Sequence, residues 1–197
     1  METVLATESE AMTLPARDEQ DMATRLQRSD REAYAELFRR LSPSLVAYAR
    51  QITRDESAAW DVIQDVFLKL WSDRASLNVR VSLRRLLYTM TRNRALNSIR
   101  RKRWTVKLPG FADEVRAADV EAADERLAAD DVGRFVRKWI AELPARRREA
   151  FLLSRDHGLF HREIAEIMGL SERTVDTHIL LALRQLRERL DALEEEG

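Results

Sequence analysis

From Arg31 onward, apolar residues recur at intervals of three and four, the spacing that puts them on one face of an α-helix. Tyr34, Leu37, Phe38 and Leu41 make the first such face. Ser42-Pro43 predicts a break after it, because proline brings no N–H to the helix ladder. A second helix carries Leu45, Val46, Ala49 and Ile52 up to the polar break TRDES. A third, Ala58 to Trp71, sets Trp60, Ile63, Phe67, Leu70 and Trp71 on one wide side as predicted core. Ser72 to Val81 is the longest polar gap in this half and predicts a loop. The helix after it, SLRRLLYTMTRNRALNSIRRKRW, aligns Leu83, Leu86, Leu87 and Met90, while Leu96 and Ile99 are rotated off that face. Residues 1 to 24 hold no lasting period and predict a disordered arm, with one helical turn near its end.

Beyond Pro109-Gly110, an Ala/Asp/Glu run lacks an apolar stripe deep enough to fold alone, so residues 105 to 130 predict a flexible acidic linker. A second helical domain spans 131 to 193. Val132, Phe135, Val136, Trp139 and Ile140 are its first predicted core face; Leu143-Pro144 ends that helix, and Gly158 stops the next. Then comes HREIAEIMGLSERTVDTHILLALRQLR, His161 to Arg187. Ala165 leaves room for a second helix, Gly169 suits the left-handed residue that ends the first, and Ser171 can cap the second. Val175, Ile179, Ala182, Leu186 and Leu190 share one face; Arg173, Thr177, Leu180, Arg184 and Arg187 share the opposite one. A packed back and a basic front are what a helix in the DNA major groove needs. An ordinary helical hairpin is the bland alternative, and the tight Gly169–Ser171 turn favours DNA. The predicted fold class is all-α: a domain at 25–104, an acidic linker and a C-terminal helix-turn-helix domain.

Composition narrows the setting. The 197 residues include no cysteine, which excludes disulfides and cysteine-ligated zinc and suits a reducing cytoplasm. No apolar run approaches the roughly 20 residues of a membrane span. METVLATESEAM lacks the order of a signal peptide. Together these three readings predict a cytoplasmic chain with no stable membrane insertion. Lys plus Arg equals Asp plus Glu at 34 each, so net charge says nothing of partners. Its distribution does. Arg84, Arg85, Arg92, Arg94, Arg100, Arg101, Lys102 and Arg103 fall between Ser82 and Trp104 with no acid among them. A phosphate backbone is the commonest answer to such a run, with a solvated helix end as the alternative. Tyr88 and Trp104 add π surfaces suited to unstacked bases, although Tyr88 fits a core equally well.

Asp61, Gln64, Asp65 and Leu68 gather on the far side of the third helix, an acidic patch with an apolar centre. A solvated outer face is the common fate of such carboxylates; a docking surface for a basic partner helix is the functional reading. His157, His161 and His178 are the only histidines, and the i, i+4 pair straddles Gly158 with no carboxylate in register. Phosphate contact or plain surface is expected for them. No metal, no cofactor and no enzymatic activity are expected.

The order of docking helix, loop, basic helix, acidic linker and helix-turn-helix resembles the extracytoplasmic-function (ECF) family of alternative sigma factors, the two-domain initiation subunits of bacterial RNA polymerase. WDVIQDVFLKLW is similar to that family's second conserved region. SLRRLLYTMTRNRALNSIRRKR is similar to the segment that melts and reads the −10 element, and LPARRREAFLLSRDHGLFHREIAEIMGLSERTVDTHI to the domain that reads the −35 element. The resemblance implies that Asp61, Gln64, Asp65 and Leu68 dock on core RNA polymerase. It implies that Asn78, in the loop, meets a flipped base of promoter DNA. Arg84, Arg92, Arg94, Asn97, Arg100 and Arg101 would grip the −10 region, with Arg162, Arg173, Asp176, Thr177, His178, Leu180, Leu181 and Arg184 at the −35 element. An anti-sigma factor is the further partner implied, and the TVDTH wording is similar to the iron-uptake branch.

This chain departs from the family at Leu86, where Trp is frequent, and at Asn97, where Asp is frequent. Asp176, Leu180 and Leu181 replace bases in the recognition helix. The rival reading is a helix-turn-helix regulator of the two-component or quorum-sensing type, whose DNA-binding domain would accommodate SERTVDTHI. Such a protein needs a receiver or ligand-binding half, usually with strands. Residues 25 to 104 show only helical periods, which counts against it.

Overall fold

A computed structural model describes residues 16–106 and 131–195, with side chains over 18–102 and 133–193. The predicted linker lies outside these residues almost entirely, as do the first fifteen residues of the arm and the ring of Trp104. The chain divides into two compact units, the boundary falling between Glu114 and Val115. Every regular element among the described residues is helical.

Unit 1 holds α1 (Ala16–Gln27), α2 (Arg31–Thr53), α3 (Glu56–Ser72), a 3-10 turn (Arg74–Ser76) and α4 (Leu83–Val106). The helix α1 corrects the expected arm: residues 16–27 are helical, and Met22, Ala23 and Leu26 are buried in the unit's core. The expected break at Pro43 is also absent, since α2 runs through it. A proline inside a helix costs about 3 kcal/mol. Burying Leu45 and Val46 on the same continuous helix returns roughly 1.5–3 kcal/mol each. Pro43 and Arg39, whose carbonyl loses its donor, are both exposed, so water can serve that group.

The core is knit by aromatic edges. Phe67 of α3 meets Tyr34 at 5.9 Å and Phe38 at 4.9 Å from α2, and Tyr34 reaches Trp71 at 5.0 Å. On α4 the buried stripe is Leu83, Arg84, Leu87, Tyr88, Thr91 and Ala95. It is a regular helical stripe, hidden in the sequence because half its members are polar or small.

Unit 2 holds α5 (Asp131–Glu142), α6 (Ala145–Arg155), α7 (His161–Met168) and α8 (Glu172–Glu195). Leu143, Phe151, Leu152 and Ala182 cluster at its centre, with Ile140 and Leu186 packed against them. Two expectations change here. Phe135 is 43% exposed and stacks on Trp139 at 6.1 Å instead of entering the core. His157, expected at the surface or on phosphate, is buried at 3% exposure.

Candidate nucleic-acid interface

The outward face of α3 forms because its start is capped and its other face is core. Asp55 accepts the Ala58 N–H at 3.0 Å, and Ala59, Val62, Ile63, Val66, Phe67 and Leu70 are buried. That N–H, with Lys102 near its other oxygen at 3.5 Å, holds the Asp55 carboxyl below the usual carboxylate range. Asp61, Gln64 and Leu68 stand in solvent, Leu68 at 66% exposure. Trp60 joins them, which corrects its assignment to the core: it is 40% exposed. It lies seven residues before Phe67, about 10 Å along the helix, away from the rings that cover Phe67. Asp65 is only half-exposed, and Arg94 Nε donates to it at 2.8 Å.

The predicted loop begins as the 3-10 turn and is tightly bonded. Arg74 donates to the Trp71 carbonyl at 2.6 Å, and its guanidinium lies 4.4 Å from the centre of the Trp71 ring. Asn78 is exposed. Its Oδ1 accepts the Arg80 N–H at 3.0 Å, and its carbonyl accepts the Val81 N–H at 3.0 Å. The carbonyl oxygen of its amide is thus engaged, and the NH2 group is the part offered outward. Ser82 then opens α4 by accepting the Arg85 N–H at 3.2 Å.

Along α4 the expected DNA-facing set divides. Asn97, Arg100 and Arg101 are exposed; Arg94 is exposed and paired with Asp65; Arg92 is half-buried. Arg84 is a correction: at 6% exposure it lies in the core, its guanidinium 6.0 Å from the Tyr88 ring centre. Tyr88 is fully buried, which settles it as core, and burial pushes its phenol up against the opposing pull of Ser44 and Arg84. An arginine spent on a buried tyrosine cannot also reach phosphate.

In unit 2 the turn between α7 and α8 has the expected chemistry. Gly169 ends α7 at φ 66°, and Ser171 Oγ accepts the Thr174 N–H at 3.1 Å to start α8. Glu163 accepts the Phe160 N–H at 2.9 Å at the start of α7. Val175, Ile179 and Ala182 are buried, while Arg173, Asp176, Thr177, Leu180 and Arg184 form an exposed stripe, with Arg162 exposed on α7. His178 and Leu181 are half-buried beside that stripe. Two members are already engaged: Thr177 donates its hydroxyl to the Arg173 carbonyl at 2.9 Å, and Asp176 pairs with His161 Nδ1. His161 is thus an organising residue that the sequence does not single out for this role. Its signal is position alone, fifteen residues before Asp176 across a tight turn.

Residues 37–105 match the family model of sigma-70 region 2, and residues 136–186 match that of sigma-70 region 4. The chain is 29% identical over 168 residues to the ECF RNA polymerase sigma factor RpoE of Cereibacter sphaeroides, covering 82% of this chain and 88% of that one. It is also 29% identical over 164 residues to the probable RNA polymerase sigma factor RfaY of Xanthomonas campestris pv. campestris, covering 81% of this chain but only 40% of the longer relative. Among solved structures, the sigma factor RpoE of Bartonella quintana in complex with the anti-sigma factor NepR matches with a TM-score of 0.66. The identity is 24%, and the match covers 80% of this chain and 96% of that one.

Proposed function

The chain belongs to the sigma-70 family as an alternative sigma factor of the extracytoplasmic-function type, and we propose from this premise how its surfaces divide the work. Trp60, Asp61, Gln64 and Leu68 dock unit 1 on core RNA polymerase. Asn78 meets an unstacked base of the −10 element, and Arg94, Asn97, Arg100 and Arg101 engage the strand around it. Arg162, Arg173, Thr177, Leu180 and Arg184 place unit 2 at the −35 element. No described helix is long and apolar enough to cross a membrane. As with RpoE and NepR, an anti-sigma factor is the natural antagonist.

The observation that carries the docking role is Leu68. Two-thirds of its surface faces water on a helix whose opposite face already fills a core, and Asp61 and Gln64 flank it. A buried apolar anchor within a polar rim is the usual anatomy of a binding hot spot. DNA opening needs no fuel in this scheme: trapping an unpaired base offsets the few kcal/mol of unstacking. The test is transcription in vitro from a random promoter library with purified core polymerase. Selected −10 and −35 motifs that require both proteins are expected. Tight, selective binding to the same DNA without polymerase would point instead to a helix-turn-helix regulator.

A further inference from the structure

The loop that carries Asn78 is held from behind by a part of the chain that none of these roles uses. Gln27, the last residue of α1, donates from Nε2 to the Leu77 carbonyl at 2.6 Å, across fifty positions of sequence. Two residues on, Ser29 Oγ accepts Arg74 Nε at 2.9 Å. Both bonds leave one corner of the fold and reach the two halves of one loop.

That corner is well fixed. Ala23 and Leu26 are fully buried, anchoring α1 just before Gln27. Ser29 takes the left-handed conformation at φ 63°, and its N–H donates to the Leu26 carbonyl at 2.9 Å. Asp30 caps α2 through the Glu32 and Ala33 N–H groups at 2.8 and 3.1 Å, and it accepts Arg25 Nε at 2.8 Å. Those bonds and Arg25 hold the Asp30 carboxyl below the usual range, so it stays an ionised cap. Leu77, which Gln27 grips, is the residue before Asn78. On its far side the Asn78 turn runs through Val81 into the Ser82 cap of α4. The turn is therefore pinned at both ends, and Asn78 presents its amide from between the pins.

We propose that Gln27, seconded by the Ser29–Arg74 bond, is a positioning residue for base selection: α1 sets where the Asn78 amide stands, and so how strictly the loop discriminates among unstacked bases. This rests on the reading of Asn78 as a base contact. A base-reading amide displaced by an ångström loses its hydrogen-bond geometry, while phosphate contacts made by long arginines tolerate the shift. α1 then acts on specificity more than on affinity.

The test is the same promoter-library transcription with full-length chain and core polymerase, comparing Gln27→Ala, Gln27→Glu, Gln27→Lys and Asn78→Ala, each checked by a circular-dichroism melt. Gln27→Glu sets a carboxylate against a carbonyl oxygen; Gln27→Lys restores a donor of sufficient reach. Discrimination at the loop-read position, about tenfold for one base contact, should collapse towards parity in Gln27→Glu and weaken in Gln27→Ala. Gln27→Lys should recover it, with the −35 profile unmoved throughout. If Gln27→Glu and Gln27→Ala discriminate as wild type while Asn78→Ala does not, the positioning role is wrong and the base contact stands. If both lower transcription from every promoter alike and Gln27→Lys restores nothing, α1 serves folding only. If Asn78→Ala leaves the −10 profile intact, the underlying reading fails and takes this one with it.

Discussion

Arg94 of α4 donates from Nε to Asp65 of α3 at 2.8 Å, which ties a residue expected to meet polymerase to one expected to meet DNA. Both side chains are 44% exposed. A pair so placed contributes about 0.2–1 kcal/mol. The fold does not depend on it, but its two charges are already answered.

The pairing ranks the proposed docking residues. Asp61 is exposed, whereas Asp65 must leave Arg94 before it can serve a partner. Asp61→Lys and Leu68→Ala should each weaken core-polymerase binding by about 1–2 kcal/mol, and Asp65→Ala by less. Circular dichroism should match wild type for all three. Titration of labelled protein with core polymerase measures this, and equal affinity for wild type and Leu68→Ala would rule out docking through this face.

Arg84 and Arg100 should respond to alanine in opposite ways. Arg84 is buried beside Tyr88, so its loss should destabilise unit 1 by about 1–3 kcal/mol, the cost of a buried polar group left without its partner, and so lower its denaturation midpoint. Arg100 stands in solvent. Its loss should leave stability alone and reduce the salt slope of holoenzyme binding to DNA by about one. Urea melts and salt titrations separate the two, and a slope unchanged in Arg100→Ala would remove it from the phosphate contacts.

Legibility in the sequence depends on which signals are local. The α7–α8 turn is readable because glycine at φ 66° and a serine cap act through their own backbone. The stripe of α8 is readable because its buried members are all apolar. Arg84 and Thr91 escape recognition as core on α4 because polarity suggests solvent, and Tyr88 is left open between core and DNA; only a neighbouring helix reveals that all three are covered. Trp60 misleads in the opposite sense: periodicity gives the side of a helix, not where along it the neighbour ends. Pro43 shows a local rule outweighed by burial on both sides of it. Asp65 and Arg94 each occupy the predicted face, and no pattern within either helix shows that they meet.

Asp55 gives a pH signature. Its carboxyl is held below the ordinary range by the Ala58 N–H, with Lys102 adding to the effect, so the folded state favours the ionised form. A carboxylate depressed on folding stabilises above its unfolded value, about 3.9, and that contribution fades as pH falls through the lower folded value. Asp55→Ala should therefore cost unit 1 about 1 kcal/mol at neutral pH, the usual worth of an N-cap. The gap from wild type should narrow below about pH 4. Asp55→Asn, which keeps an acceptor but cannot ionise, should show a smaller gap at neutral pH, and that gap should fall by the same amount towards low pH, because both variants lack the titrating carboxyl. Thermal melts from pH 7 to 3 test this, and a gap constant across that range would leave the carboxylate's charge without a role.

The exposed stripe of α8 should set the −35 preference, and its members should not contribute alike. Leu180 is 59% exposed beside Thr177 and Arg173, and an apolar side chain in the major groove finds its partner in a thymine methyl. Thr177 already donates its hydroxyl hydrogen bond to the Arg173 carbonyl, which leaves it an acceptor and a methyl group to offer. Asp176 is engaged by His161, so its loss should act partly by loosening α7 against α8. Leu180→Ala and Thr177→Ala should each change which −35 sequences are used, by about 1–3 kcal/mol for every good base contact removed. Asp176→Ala should add a fall in the stability of unit 2. Ile179→Ala, behind the stripe and 9% exposed, should leave the preference alone and cost about 2–5 kcal/mol of stability through the cavity it opens. None of these should move the −10 preference, whose proposed contacts all lie in unit 1. The measurement is a promoter-library selection for each variant with core polymerase, alongside a melt. A −35 profile identical to wild type in the triple variant Arg173→Ala, Thr177→Ala, Leu180→Ala would show that this helix does not read DNA.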